Sequence, residues 1–150
     1  MCPLWTFLRF HGLLLTGRIR FPRRDHAKVF RDGAEAFRVF RMMRVSVADP
    51  GRHACVFLAR FRPRGMSPAL NRWFSLLPIP VFGGAPGLLQ KWWLVNDADG
   101  SFLGYYRWKD RASAEGYRDS FAGAFMRRRS RGGSVSFRLY GADEAPAPPA

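Results

Sequence analysis

The clearest hydrophobic pattern of the chain is a pair of aromatic segments followed by an amphipathic one. Residues 88–95 and 101–108 are rich in aromatic and aliphatic side chains, and a loop of Asp, Ala and Gly at residues 97–100 separates them. Such segments suit a half-buried β-hairpin. Asp110 follows as a candidate helix N-cap. A helix is then indicated by apolar residues at steps of three and four: Ala114, Tyr117, Phe121 and Phe125.

The flanking segments extend this pattern to a complete domain. The continuous apolar run within residues 53–61 predicts a strand covered on both faces. Ser67 and Pro68 then suit an N-cap and a first helical position, ahead of a short apolar stripe that includes Trp73. Alternating apolar and polar residues at 134–139 predict a last strand. The predicted order is therefore β-α-β-β-α-β.

The first fifty residues carry a different pattern. Within residues 26–43 one side of a helical projection is apolar, and this predicts a helix that covers the core, packs on a partner subunit or lies on an anionic membrane. Its apolar positions are Val29, Phe30, Ala34, Phe37 and Phe40. A turn at Asp49-Pro50-Gly51 divides an N-terminal helical extension, residues 1–50, from a ferredoxin-like domain, residues 51–141. Residues 142–150 predict a disordered acidic Pro/Ala tail.

The element order is that of a ferredoxin-like α+β fold, a four-stranded antiparallel sheet whose helices cover one face. The aromatic residues of the other face would be costly to leave in water, at about 25 cal/mol per Å² of apolar surface. A patch of this kind usually marks an interface or a ligand site. We therefore expect a homodimer in which two sheets close into a barrel.

The hairpin loop also predicts which side chains share a face. A four-residue loop at 97–100 pairs Trp93 with Gly104, Lys91 with Tyr106, and Leu89 with Trp108. A register slip of one residue would instead bring Trp92 and Tyr105 to that face. Gly104 opposite Trp93 leaves space that an aromatic ligand or a neighbouring aromatic side chain would fill.

Charge adds a second candidate function. The 150 residues carry a formal net charge of +14, spread along the chain, and such a field attracts nucleic acid and anionic lipid alike. Arg outnumbers Lys 22 to 3, a bias that GC-rich codons also produce. Motifs typical of nucleic-acid-binding modules are absent from the sequence.

The sequence offers few metal ligands. Two cysteines without a metal-binding spacing fit a reducing compartment, so we expect a cytoplasmic protein with no metal and no cofactor. The apolar opening segment is interrupted by Arg9 and His11 and is shorter than the roughly 20 residues that a membrane span needs.

A family resemblance rests on the motif around the hairpin. Pro86-Gly87-Leu88-x-x-Lys91-x-Trp93 is followed by Gly104-x-Tyr106-x-Trp108-x-Asp110-x-x-Ser113-Ala114-x-x-Tyr117. This pattern resembles the dimeric α+β barrel superfamily, and within it the YdhR-type mono-oxygenase-like proteins. The similarity is clearest over residues 86–121 and does not cover the first 50 residues.

The resemblance implies a cleft lined by aromatic groups and two kinds of chemistry. Haem-degrading relatives carry a Trp that Trp108 matches and a ligating His on the following helix, where this chain has Phe125 and no His. Cofactor-independent oxygenation instead needs a polyphenolic substrate beside a base or hydrogen-bonding group. Tyr106, Trp108 and Lys91 are the candidate catalytic residues, and Trp93, Gly104 and His53 are the candidate substrate-binding residues.

These observations favour a protein that binds an aromatic or apolar small molecule in this cleft, as a cofactor-independent mono-oxygenase. The alternative is a non-catalytic basic protein that binds nucleic acid or an anionic membrane surface.

Overall fold

The computed structural model describes residues 2–46 and 54–150, which form helices on one side of a single antiparallel sheet. The helices are α1 (Pro3–Leu15), α2 (Pro68–Phe74), α3 (Ile79–Phe82), α4 (Arg111–Arg118) and α5 (Phe121–Arg129), and a 3-10 turn spans Arg23–Asp25. The strands are β1 (Ile19–Arg20), β2 (Val29–Asp32), β3 (Glu35–Val45), β4 (Cys55–Phe61), β5 (Leu88–Val95), β6 (Phe102–Trp108) and β7 (Ser136–Tyr140).

The predicted ferredoxin-like arrangement is confirmed by the sheet. Its strand order is β1-β3-β5-β6-β4-β7, with β2 paired to β3. The last four strands of this order, β5-β6-β4-β7, have the arrangement that β-α-β-β-α-β connectivity gives in a ferredoxin-like sheet. Strands β1 to β3 extend this sheet beyond β5, so the N-terminal residues are continuous with it. The predicted boundary turn at 49–51 lies outside the described residues.

Side-chain caps fix where the helices begin. The hydroxyl of Ser67 accepts a hydrogen bond from the backbone N–H of Leu70, and the carboxylate of Asp110 accepts one from Ser113. Both caps satisfy backbone donors that a first helical turn leaves unpaired. The single helix predicted after Asp110 is two helices, because Ser120 caps a new start at Phe121.

The predicted hairpin register is confirmed at its two central pairs. Lys91 lies opposite Tyr106, and Trp93 lies opposite Gly104. The third predicted pair is wrong by one residue, because an irregularity between Leu88 and Gln90 places Leu88 opposite Trp108. The side chains of Lys91, Trp93 and Tyr106 consequently face the helices.

The N-terminal helical extension is present as α1, but the helix predicted over residues 26–43 is wrong. That segment forms the hairpin of β2 and β3, which turns at Gly33 with a φ of +62°. The apolar spacing of this segment is compatible with a helix and with a β-hairpin. In the hairpin Phe30 and Phe37 lie opposite each other. The segment forms strands rather than a helix because β3 pairs with β5, whose edge would otherwise expose a row of unpaired backbone groups.

The same hairpin covers the second face of the sheet. Phe30 and Phe37 are buried in a core with Trp92, Leu94 and Tyr105, separate from the core under the helices. The Phe30 and Tyr105 rings pack edge to face with centroids 5.4 Å apart. At the hairpin tip, Glu35 pairs with Arg60 of β4 and Asp32 pairs with Arg138 of β7. These contacts hold the hairpin across the sheet.

The C-terminal residues also lie on this face, in contrast to the solvated tail predicted from composition. The hydroxyl of Tyr105 donates a hydrogen bond of 2.8 Å to the carbonyl of Pro146. Val29 and Ala150 exchange backbone hydrogen bonds, and Pro149 is buried. Proline suits such an edge position because it lacks an N–H that would need a partner.

The covered face corrects the expected mode of dimerisation. The homodimer was predicted because the aromatic face opposite the helices needed a cover. In the structure Tyr105 and Trp92 are buried within one chain. A homodimer of this protein would have to use another surface.

We expect Phe37→Ala to destabilise the fold by about 3–5 kcal/mol, because it opens a cavity between the hairpin and the sheet. Phe37 is fully buried, whereas Val29 on the neighbouring strand is exposed. Urea unfolding of Phe37→Ala beside the control Val29→Ala measures the difference. Equal midpoints for both variants would contradict the packing of the hairpin on the sheet.

Candidate functional site

A cavity of about 80 Å³ lies between strands β5 and β6 and helices α2 and α5. A single water needs roughly 10–15 Å³, so the space holds more than one water or a small organic group. Its walls are mostly apolar and include the aromatic residues Phe40, Phe61, Phe74, Trp93, Phe102 and Tyr106. Apolar walls with a few polar groups are typical of small-molecule sites.

Lys91 is the central polar group of this cavity. Its residue is 6% exposed, and its Nζ lies 4.3 Å from the ring centroid of Trp93 and 4.6 Å from that of Tyr106. Among the described residues its amine has neither a carboxylate nor a hydrogen-bond acceptor within bonding distance. The position of the side chain on β5 places it above the sheet, opposite Tyr106.

Burial and a nearby charge favour the neutral form of this amine. Removal from water, with a further contribution from the guanidinium of Arg41, lowers the pKa of Lys91 to about 7. Each cation–π contact stabilises a cation by about 0.5–2 kcal/mol. This is less than the several kcal/mol that an ammonium group loses when it leaves water. Lys91 can therefore accept a proton near neutral pH.

Two tyrosines that line the cavity with Lys91 have raised pKa values and keep their protons. The hydroxyl oxygens of Tyr106 and Tyr117 are 3.5 Å apart in the buried site. Burial raises the pKa of Tyr106 to about 12 and that of Tyr117 well above its ordinary value. Both phenols thus keep their protons and can donate hydrogen bonds to a ligand oxygen.

The cavity has cationic groups and no anionic ones. The Arg129 guanidinium lies 3.6 Å from the ring centroid of Phe74 at the wall of the cavity. Arg41 lies behind the wall, where it donates a 2.6 Å hydrogen bond to the hydroxyl of Ser75. Among the described residues that line the cavity, none is Asp or Glu. This electrostatic balance favours a ligand that carries or develops negative charge.

The structure brings together four of the six residues that the sequence proposed for a site. Lys91, Trp93, Gly104 and Tyr106 all line the cavity. Trp108 lies one layer behind, with its ring parallel to that of Tyr106 at a centroid distance of 6.3 Å, so it supports the site without lining it. His53 lies outside the described residues.

The space expected above Gly104 is occupied by a neighbouring side chain. A Cβ at this position would lie 2.5 Å from Cε2 of Tyr106. Glycine is therefore required for the Tyr106 ring to lie flat across the strand. The sequence allowed an aromatic ligand or a neighbouring aromatic side chain in this space, and in the structure the Tyr106 side chain occupies it.

Sequence reasoning missed the helical side of the cavity. Asn71 and Ser75 come from α2 and its end, and Arg129 comes from α5. Arg129 lies in the last turn of α5, where a cation also complements the helix dipole. The spacing of Arg129 four residues after Phe125 was the available signal, because it places both side chains on one helix face.

The residues at the cavity do not fit the haem ligation implied by the resemblance. Neither His11 nor His26 lines it, and no cysteine does so among the described residues. Elsewhere in residues 2–46 and 54–150, no group of three or more His, Cys, Asp or Glu is arranged to hold a metal ion. The same residues contain no helix both long and apolar enough to cross a bilayer.

Comparison with known proteins gives structural but not sequence matches. The sequence matches no protein-family model and no curated protein. A ferredoxin-fold protein of Listeria monocytogenes, related to antibiotic biosynthesis monooxygenases, is similar over 76% of this chain and 68% of its own, with 16% identity and a TM-score of 0.53.

Two further solved structures extend the comparison. A heme-degrading enzyme from Listeria monocytogenes matches 81% of this chain and 95% of its own, with 13% identity and a TM-score of 0.53. An anthrone oxidase-like protein matches 71% of this chain and 54% of its own, with 16% identity and a TM-score of 0.51. The chain therefore has the ferredoxin-like α+β fold of these solved structures.

Proposed function

We propose that this protein binds an acidic aromatic small molecule in the cavity and oxygenates it without a cofactor, with Lys91 as the general base. The observation that carries the proposal is the buried amine of Lys91, which lies 4.3 Å from the ring centroid of Trp93 and 4.6 Å from that of Tyr106 at the cavity. A base whose pKa lies near the operating pH is the most effective in proton abstraction. The fold shared with an anthrone oxidase-like protein supports the same class of chemistry.

The reaction balances with molecular oxygen as the only co-substrate. Lys91 would take a proton from the activated CH₂ carbon of an anthrone-type substrate, and the electron pair left on carbon would reduce O₂. A carbon–oxygen bond then forms, and cleavage of the oxygen–oxygen bond leaves a carbonyl on the ring. Overall one CH₂ group and one O₂ become one C=O group and one water.

Other residues of the cavity would stabilise the charge that develops. Proton loss places negative charge on the substrate oxygen, which the phenols of Tyr106 and Tyr117 can stabilise by donating hydrogen bonds. Arg129 would hold the same anion from the helix side. Trp93 and Phe74 would stack on the rings of the substrate and exclude water. Trp108 would act as a positioning residue through its packing on Tyr106.

Lys91→Met is expected to reduce aerobic turnover of anthrone by at least about 100-fold, the usual contribution of a general base. Oxygen consumption and quinone absorbance measure the reaction. Lys109→Met is the matched control, since Lys109 is exposed outside the cavity. Tyr106→Phe should retain the fold but lose part of the rate. Unchanged turnover in Lys91→Met would overturn the assignment of the base.

The pH dependence follows from the lowered pKa of Lys91. We expect kcat/KM to rise with pH through about 7, as the amine loses its proton. The chain has only three lysines, so reductive methylation with ¹³C gives three resolvable side-chain groups for NMR titration. One of them should titrate near 7 and vanish in Lys91→Met. Three titrations near 10 would contradict a neutral amine.

Lys91→Met should also stabilise the protein at neutral pH, by about 1 kcal/mol, as expected where a functional group is buried at a cost. The unfolded chain binds a proton at Lys91 up to its ordinary pKa of 10.5, whereas the folded chain releases it near 7. Stability of the natural protein therefore rises with pH between these values. The gain from Lys91→Met should be largest at or below pH 7 and shrink toward pH 10.5, as measured by thermal unfolding.

A further inference from the structure

The exposed apolar side chains of this protein are concentrated on its helices. Among the described residues thirteen large hydrophobic side chains are exposed, and ten of them belong to α1 or to the segment from α2 to α3. We name these two groups together the helical apolar surface. It consists of Leu4, Trp5, Phe7, Leu8, Leu14, Leu15, Leu70, Trp73, Leu76 and Leu77. Exposed apolar surface in this amount usually serves an interaction.

Helix α1 is anchored so that its apolar stripe points outward. A Cβ on Gly84 would lie 1.8 Å from the carbonyl oxygen of Thr6, so the helix backbone packs directly on the loop after α3. Arg9 donates a 2.7 Å hydrogen bond to the carbonyl of Gly84, and Phe10 is buried beneath. On the opposite side Leu8 is 61% and Leu15 is 88% exposed. This helix therefore presents to solvent the kind of face that a surface helix normally buries.

Helix α2 and the residues after it contribute the second group of exposed side chains. Its Asn71 and Phe74 line the cavity, whereas Trp73 is 75% exposed and Leu77, just beyond the helix, is 68% exposed. The chain passes from Leu77 directly into α3, on which α1 packs. Leu76 also lines a groove with Phe21 and Arg23, which joins the surface to the segment after β1.

Arginine predominates around this surface, and Asp97, the carboxylate beside α2, is paired with Arg38 and Arg72. Residues 1–24 and 50–96 contain no Asp or Glu at all. At the tip of the β2–β3 hairpin and in the β5–β6 turn the carboxylates are paired, Glu35 with Arg60 and Asp99 with Arg62. Exposed leucine and tryptophan in surroundings with many arginines and few carboxylates are typical of protein surfaces that lie on anionic bilayers.

We infer that the helical apolar surface docks on an anionic lipid bilayer, with α1 and α2 inserted at the headgroup level. Two other occupants fit less well. A second copy would bring arginines of like charge together without carboxylates between them. Nucleic acid is bound mainly through its phosphates, for which exposed leucines offer nothing. The inference does not depend on the catalytic proposal.

Vesicle co-sedimentation tests this surface directly. The protein should pellet with vesicles of phosphatidylcholine mixed with phosphatidylglycerol, and much less with phosphatidylcholine alone. Leu8→Gln combined with Leu15→Gln should weaken the binding at least about tenfold. Both positions are exposed, so circular dichroism should show an unchanged fold.

A charge-matched pair of variants separates a defined surface from general attraction. Arg23→Gln with Arg64→Gln removes two charges from beside the helices, since Arg23 lines the groove with Leu76 and the Arg64 backbone N–H bonds to the carbonyl of Arg129 in α5. Arg31→Gln with Arg107→Gln removes two charges from strands β2 and β6. The first pair should lose more vesicle binding than the second. Equal losses, no pelleting, or pelleting that the leucine variants leave intact would each overturn the inference. A concentration-dependent dimer abolished by the leucine variants, without vesicle binding, would assign the surface to a second copy instead.

Discussion

The pairing of β3 with the edge of β5 is the contact on which the rest of the structure depends. It extends the ferredoxin-like sheet and sends the β2–β3 hairpin across the face opposite the helices. Ion pairs of Glu35 and Asp32 then fix the hairpin tip to β4 and β7. Backbone hydrogen bonds set the position of the hairpin, while burial of Phe30 and Phe37 supplies most of its stabilisation. One chain thereby buries both faces of its sheet.

This arrangement assigns different tasks to the two faces. The face under the hairpin is a packed core centred on Tyr105, whereas the face under the helices keeps a cavity. Lys91 lies on the second face because the β5–β6 register alternates side chains across the sheet. Its lowered pKa follows from the same position, because burial penalises the charged amine and the guanidinium of Arg41 adds to that effect. The chemistry proposed for the cavity rests on that environment.

Helix α2 links the cavity to the molecular surface. One of its sides closes the cavity through Asn71 and Phe74, and the other exposes Trp73. The basic character of the chain is also uneven, because carboxylates at the hairpin tips are paired with arginines. The uncompensated charge therefore lies outside these tips, including in residues 1–24, which contain no Asp or Glu. Net charge alone could not indicate this distribution.

The sequence by itself determined the β-α-β-β-α-β core, because turn residues and caps such as Ser67 and Asp110 act locally. It also paired Lys91 with Tyr106 and Trp93 with Gly104, since loop length fixes a hairpin register. Residues 26–43 could not be assigned in this way. Their apolar spacing satisfies a helix and a hairpin alike, and only the open edge of β5, distant in sequence, favours strands.

The same division applies to the site. Lys91 was a candidate from its place in the hairpin, but its lowered pKa depends on burial beneath α2 and α5 and on the charge of Arg41. Arg129 reaches the cavity only because α5 packs on the sheet. Local patterns thus determined which residues share a strand face. Tertiary packing decided which face encloses a cavity, because burial and electrostatics depend on all the groups that surround a residue.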